Sequence, residues 1–319
     1  MKVKLFTHTD LDGISCAIVG KIAFEDIDIT YCNYDDVNEK VKEFIINQEY
    51  KNFDYVYITD ISVNEEVAEL IDKTRPDNFK EGFTLNEMFQ LLDHHATAKW
   101  LNEYYWCEVS DITEKTNEKT SGTRMFFHNV YDEYIREKII NNDQLYNILS
   151  FVEMVNRYDT WLWQTKYNDD EPKKWNDLLY IMGKEDFIKN VIYKINNNHN
   201  FYLSDFELDI LRYKQAEIDN YINKKSKQII IKEIQGYKAG VIFAEQYHSE
   251  LGNVLATNNS ELDFIVIINP SQSVSYRGVK DTIDLGMVAK VYEGGGHPKA
   301  SGSPISDNVK EQIINMIFK

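Results

Sequence analysis

Two short apolar runs in this chain end in side chains of the kind that bind metals. Leu91-Leu92 gives way at once to Asp93-His94-His95, a carboxylate and two imidazoles. Leu5-Phe6-Thr7-His8-Thr9-Asp10-Leu11-Asp12-Gly13 repeats the design near the N-terminus. On extended backbone the alternate spacing of His8, Asp10 and Asp12 points all three to one side. A His-His pair alone is more often a polar surface detail than a ligand set. Two strand ends of matching design change that, because imidazoles together with several carboxylates hold first-row divalent cations. Asp60 closes a third run, Tyr55-Val56-Tyr57-Ile58-Thr59, and joins them as a candidate ligand, although an Asp after a strand is usually a turn former. Asp159 follows an apolar helical pattern from about Gln144 to Arg157. A carboxylate at a helix C-terminus opposes the dipole, so its position points to function, with an Asx turn as the plain alternative.

The elements that must deliver these residues alternate. Residues 2–8 read as a strand and 14–24 as a helix, with Ile14, Ala17, Ile18 and Ile22 on its apolar face after a turn at Gly13. A strand follows from Ile27 to Tyr34, then a polar helix from about Val37 to Ile46, then the strand ending at Asp60. Asn64 caps a further helix with Val67, Leu70 and Ile71 inward. Met88, Leu91 and Leu92 mark the strand that runs into Asp93. Strand–helix alternation at this spacing predicts a parallel sheet with crossover helices on both faces. In such sheets ligands collect beyond the carboxyl ends of the strands, which is where all three runs place their polar residues. Thr120-Ser121-Gly122-Thr123 opens a helix through Met125, Phe126, Val130 and Tyr134, after a polar loop from Asp111 to Lys119. Those hydroxyls are expected to cap the helix, and a contact with the site is left open.

With 319 residues the chain suggests two domains, and 43% hydrophobic content gives each a core. The boundaries read as 1–185, a helical linker at 186–228 and a smaller α/β domain at 229–319. Asp170 to Lys174, with Pro172, reads as a loop. Leu203 to Lys227 carries an apolar stripe at Phe206, Leu208, Leu211, Ile218 and Ile222. As one helix it would span roughly 35 Å. Lys224, Lys225 and Lys227 read as its solvated end. No apolar run approaches the ~20 residues of a membrane span, and a secretory leader is not expected. Cys16, Cys32 and Cys107 are an odd number without metal-type spacing and fit the reduced thiols of a cytoplasmic protein. A net charge of −17 argues against gripping long duplex nucleic acid through phosphates. A short anionic substrate stays compatible, since bound cations reverse the local sign.

The last stretch has a different texture. Tyr237 to Ala244, Leu262 to Asn269 and Ser273 to Gly278 read as strands, Ser249 to Ala256 as a helix, and Leu285 to Tyr292 as a helix with Met287, Val288 and Val291 inward. It closes on Gly294-Gly295-Gly296-His297-Pro298-Lys299. Three glycines suit a turn whose N–H groups cradle a phosphate. Arg277, His297 and Lys299 would supply the charge.

In order and spacing these motifs resemble the DHH family of phosphoesterases with a C-terminal DHHA1 domain. Leu5 to Gly13, Asp60, Asp93-His94-His95 and Asp159 correspond to its four motifs, and Tyr276-Arg277-Gly278 with Gly294 to Gly302 to the DHHA1 signature. The resemblance covers essentially the whole chain and is strongest to the NrnB-type oligoribonucleases, through Thr120 to Thr123, Tyr158 to Trp161 and Ser249-Glu250-Leu251-Gly252-Asn253.

This resemblance implies an N-terminal parallel-sheet domain and a smaller α/β domain. It also implies a two-manganese phosphodiesterase that degrades RNAs of two to five nucleotides to mononucleotides, with Co²⁺ or Mg²⁺ as substitutes. Its ligands would be His8, Asp10, Asp12, Asp60, His94 and Asp159. His95 would act beside the reacting phosphate, and Asp93 would support the imidazoles. Arg277, Gly294, Gly295, Gly296, His297 and Lys299 would bind substrate. His8 lies two residues before Asp10, where several relatives place the histidine four before. A homodimer is left open. The alternatives are hydrolysis of pyrophosphate, 3′-phosphoadenosine 5′-phosphate or cyclic dinucleotides on the same centre, and a nucleotide-binding regulator without catalysis.

Overall fold

A computed structural model describes residues 1–74, 88–113, 117–197, 200–270, 273–306 and 308–318. The chain divides into two compact units, Met1–Leu208 and Asp209–Lys319. In the first, strands β1 (Lys2–Thr7), β2 (Asp26–Tyr31), β3 (Tyr55–Thr59), β4 (Phe89–Asp93) and β5 (Cys107–Val109) form one sheet in the order β2-β1-β3-β4-β5. Every pairing is parallel, and the polar, partly exposed β2 lies at one edge. The inner strands are buried on both faces, which is why they read as continuous apolar runs.

Alternation sends Phe6, Val56, Ile58 and Leu91 to one face, where α2 (Val37–Ile46) and α3 (Glu65–Lys73) cover them with Val41, Phe44, Val67 and Ile71. On the other face Tyr57 meets Phe126 of α4 (Gly122–Val130) edge-on at 5.0 Å. The α1 helix (Leu11–Ala23) lies there too, with Gly20 against Leu5 and Phe126. Helices on both faces of a parallel sheet therefore stand as expected. The strand order reverses direction between β1 and β3, the switch point at which open sheets leave a crevice.

Several boundaries differ from those read in the sequence. The α1 helix starts at Leu11 because Asp10 itself caps it, accepting from Gly13 N at 3.1 Å. The α4 helix ends at Val130, and Tyr134 falls in a wider turn beyond it. Asp170 to Lys174 is no loop: Pro172 sits in the first turn of α6 (Glu171–Met182), where its missing N–H costs nothing. Part of the polar run 111–119 lies outside the described residues. The stretch 186–228 does not behave as one linker. After α5 (Asn142–Asp159) and α6, α7 (Lys184–Asn197) buries Phe187, Ile188, Val191 and Ile195 within the first unit. The unit boundary falls inside α8 (Asp205–Ser226). A buried ion pair, Lys194 Nζ to Glu207 Oε2 at 2.8 Å, fastens the first turn of α8 to α7.

The second unit is a mixed sheet in the order β10-β11-β9-β8-β7-β6, built from β6 (Ile230–Ile234), β7 (Tyr237–Phe243), β8 (Phe264–Asn269), β9 (Ser273–Arg277), β10 (Gly295–His297) and β11 (Ala300–Pro304). Only β7 and β8 pair in parallel. One face packs against Ile218 and Ile222 of α8 and Leu251 and Leu255 of α9 (His248–Asn258). The other packs against α10 (Leu285–Lys290) through Leu285, Val288 and Ala289. Met287 and Val291, expected inward, are each 59% exposed. A short α11 (Val309–Ile317) ends the described chain. No helix among the described residues is long and apolar enough to cross a membrane.

Candidate metal centre

Eight side chains predicted for the centre arrive from the carboxyl ends of β1, β3 and β4 and from the end of α5. Just past β1, His8 Nδ1 lies 2.9 Å from Asp10 Oδ2 and 3.9 Å from Asp60 Oδ2. His94 Nε2 sits among three carboxylates: 3.2 Å from Asp60 Oδ1, 3.2 Å from Asp159 Oδ2 and 3.6 Å from Asp12 Oδ2. Two triads thus form, His8/Asp10/Asp60 and Asp12/His94/Asp159. Asp60 belongs to the first and touches the His94 of the second.

The backbone bends to achieve this. Asp60 adopts the left-handed region at φ 58°, uncommon outside glycine. A Cβ at Gly13 would lie 2.3 Å from the His8 carbonyl oxygen, and one at Gly122 would lie 2.6 Å from Asp60 Cβ. Both glycines are needed for close approach. At Gly122 that approach brings the N-terminus of α4 onto Asp12. Gly122 N donates to Asp12 Oδ2 at 2.7 Å, Thr123 N to Oδ1 at 2.9 Å, and Thr123 Oγ1 to the Asp12 carbonyl at 2.7 Å. The stretch expected to cap a helix, with a site contact left open, therefore also holds a site carboxylate, and Ser121 does the capping. Helix N-termini are natural seats for anions.

Beside the triads stands a second arrangement. Asp93 is fully buried and accepts from Ser62 Oγ, from His94 N at 2.8 Å and from His95 Nδ1 at 2.7 Å. His95 Nε2 then faces the Tyr34 hydroxyl at 3.1 Å. Burial opposes ionisation of Asp93, but His95 and the other donors outweigh it and hold its pKa low. The same bond to Asp93 raises the pKa of His95, against some burial. Asp93 thus anchors the His95 ring through Nδ1 and leaves Nε2 facing Tyr34.

The triads are electrostatically incomplete. Burial, followed by Asp12 and Asp10, pushes the Asp60 carboxyl well above its ordinary range. Burial and the same two neighbours raise Asp159 to about 8. For Asp10 burial works upward too, but the His8 bond and charge win and lower it. Asp60 Oδ2, Asp159 Oδ2 and His8 Nδ1 are buried without a hydrogen bond of acceptable direction, although nitrogens or carboxylates lie near. Uncompensated buried carboxylates are costly, and ligand atoms aimed at common points are the arrangement cations require. These residues fit a divalent metal pair.

Some contributors carry no signal in the sequence. Tyr34 ends the expected second strand, and its ring also lies 4.9 Å from that of His8. Asn156, one turn before Asp159, and Ser15, one turn after Asp12, are buried with unpartnered polar atoms.

The other predicted residues lie in the second unit. Gly295, Gly296 and His297 form strand β10 rather than a free turn. Gly294 and Gly296 allow backbone contact, since a Cβ would meet Gly302 O at 2.1 Å or Ser301 Cα at 2.7 Å. Gly295 alone faces open space. Arg277 donates to the Tyr276 and Ser301 carbonyls and to Ser249 Oγ at 3.3 Å, with its stem over Gly252. Burial lowers its pKa. Lys299 is paired with Asp281 at 2.7 Å and donates to the Val279 carbonyl.

Comparison with known proteins agrees with this architecture. No protein-family model matches the chain. It is 33% identical over 318 residues to oligoribonuclease NrnB of Bacillus subtilis, covering 99% of this chain and 76% of that protein. It is 25% identical over 355 aligned positions to a 3′,5′-cyclic-nucleotide phosphodiesterase of Helicobacter pylori, covering 98% of each. The fold matches RecJ of Thermus thermophilus, solved in complex with Mn²⁺, with a TM-score of 0.51 at 11% identity over 99% of this chain and 51% of that one. With two α/β units, all four motif carboxylate and histidine clusters at one crevice and a full-length likeness to NrnB, the chain belongs to the DHH family of phosphoesterases.

Proposed function

We propose that the protein is a two-metal phosphodiesterase that hydrolyses RNAs of two to five nucleotides to mononucleotides. The observation that carries this reading is the pair of triads whose buried atoms, Asp60 Oδ2, Asp159 Oδ2 and His8 Nδ1, lack bonding partners. His8, Asp10 and Asp60 would hold one cation, and Asp12, His94 and Asp159 the other, with Asp60 shared. Mixed imidazole and carboxylate donors favour Mn²⁺ over Mg²⁺, which keeps its waters and prefers oxygen; Co²⁺ would substitute. Bound divalent ions would supply Lewis acidity, lowering the pKa of a water toward ~7 and neutralising phosphoryl charge.

The remaining work belongs to the chain. The backbone clamp fixes Asp12 without using up a cation. Asp93 orients His95 and favours its protonated form, which would donate to a phosphoryl oxygen as charge grows there. Arg277, held by Ser249 and two carbonyls, would bind a phosphate of the substrate, with His297, Lys299 and the glycines of β10. Support for RNA comes from the NrnB relative; support for Mn²⁺ comes from the donor set and the RecJ structure.

The test is a time course with 5′-labelled RNAs from two to several tens of nucleotides. Mn²⁺ should give complete conversion of the shortest species, EDTA should stop it, and long RNA should persist. Equal rates at all lengths, or full activity with Mg²⁺ alone, would contradict the reading. The Helicobacter pylori relative favours one alternative, hydrolysis of cyclic nucleotides on the same centre. Turnover of a cyclic nucleotide in place of linear dinucleotide would select it.

A further inference from the structure

Two residues past Asp159 the chain does something costly. Trp161 takes the left-handed backbone region at φ 60° and leaves 59% of its surface exposed. For a bulky residue that conformation is an outlier, and such outliers gather at ligand sites. The surroundings enforce it. Trp161 N donates to Tyr158 O, and the Trp161 carbonyl accepts from Gln164 N, Thr165 N and Thr165 Oγ1. The indole is also braced from within: it stacks on the buried Trp163 at 6.0 Å and 25°, and Trp163 stacks with Tyr158 at 6.3 Å and 17°. No fold requirement explains an indole held rigidly at the surface when its neighbour Trp163 already fills the core.

The charge of the molecule narrows what would use such a ring. The centre carries five aspartates, and the chain has a net charge of −17, so the protein itself offers a polyanion little long-range attraction. Stacking of bases on aromatic rings does not need it and tolerates any sequence. Two residues reach at most about 7 Å along the chain, and successive bases in a stacked strand are ~3.4 Å apart. The Trp161 backbone therefore lies within about two base rises of Asp159, close enough for an exposed ring there to meet a neighbouring base. We propose that Trp161 is a nucleobase-stacking platform that seats the substrate beside Asp159. The platform rests on the reading that the substrate is a nucleotide phosphodiester.

Equilibrium binding tests the platform and turnover tests that reading, so the two fail separately. The binding probes are a fluorescent diadenylate with a non-hydrolysable linkage and its counterpart lacking both bases. The wild-type protein should prefer the base-containing probe. W161A should lose about 5- to 100-fold of that affinity, W161L should lose a similar amount, and W161F should retain most. Bound metal and Tm should be unchanged in W161L and W161F. Hydrolysis of diadenylate should show the same order in KM, with kcat little altered. Equal affinity of the wild type for both probes, or full affinity in W161L, overturns the platform. A base preference that depends on Trp161, with no turnover of linear RNA, would retain the platform and reject RNA hydrolysis.

Discussion

The two units treat charge in opposite ways. In the first, the ligand atoms Asp60 Oδ2, Asp159 Oδ2 and His8 Nδ1 are buried without a hydrogen bond of acceptable direction. In the second, the predicted cations are already engaged, Arg277 with two carbonyls and Ser249, and Lys299 with Asp281 and a carbonyl. The first centre has buried donor atoms that an added ion would satisfy. The second surface is complete without substrate, so a phosphate there exchanges one set of contacts for another. Loss of a group should therefore be severe in the first unit and graded in the second.

The sharpest break in this contrast is Asp60→Asn. It should remove bound metal, measured by elemental analysis, and lower kcat/KM on the order of 10³-fold or more. His95→Ala should keep most of the metal while losing ~10²- to 10⁴-fold in rate. Equal metal loss in both variants would erase the distinction between ligand and imidazolium.

Arg277→Ala removes a charged contact worth about 1.5–3 kcal/mol, or roughly 10- to 150-fold in kcat/KM on short RNA. Hydrolysis of bis-p-nitrophenyl phosphate should change little. A parallel fall in both activities with a lower Tm would make Arg277 a structural residue.

The incompleteness of the first centre also predicts how the metal-free protein responds to pH. Asp60 and Asp159 have folded-state pKa values above the ordinary 3.8, Asp159 reaching about 8. Between about pH 4 and pH 8 the native state keeps protons that the unfolded chain has released, so stability falls as pH rises. Asp10 and Asp93 are shifted downward and contribute the opposite slope only at lower pH. In EDTA, Tm should drop by several degrees between pH 5 and pH 8. Mn²⁺ should raise Tm more at pH 8, and Asp159→Asn should flatten the dependence. A calorimetric Tm that is flat in EDTA would remove the argument.

The smallest effect is expected for Lys299→Ala. Its partner Asp281 is exposed, and such pairs contribute about 0–1 kcal/mol. Short-RNA kinetics should change by less than about 5-fold.

Sequence legibility follows the same division. The convergence of the N-terminal clusters was readable because each ends an apolar run, which places His8, Asp60 and His94 at the carboxyl ends of neighbouring parallel strands. The helix Val37–Ile46 was read as polar, yet it buries Val37, Val41, Phe44 and Ile45. Pro172 misled because a helix-breaking residue is harmless in a first turn. Strand β6 is almost wholly exposed and lacks the alternation that marks a strand. The glycine run read as a turn because the sequence does not show that Gly302 and Ser301 press against it. Tyr34 was silent for a different reason: it is a single residue whose role exists only through its contacts with His95 and His8 across the fold.

The clamp on Asp12 has a consequence for how the centre tolerates mutation. Two of its three bonds come from main-chain N–H groups, which no exchange short of proline can delete. Replacing Thr123 or Ser121 would therefore leave much of the hold intact. The vulnerable position is Gly122, where even the smallest side chain must displace Asp60. A genetic screen for inactive alleles would find the weak point in a residue that has no functional group at all.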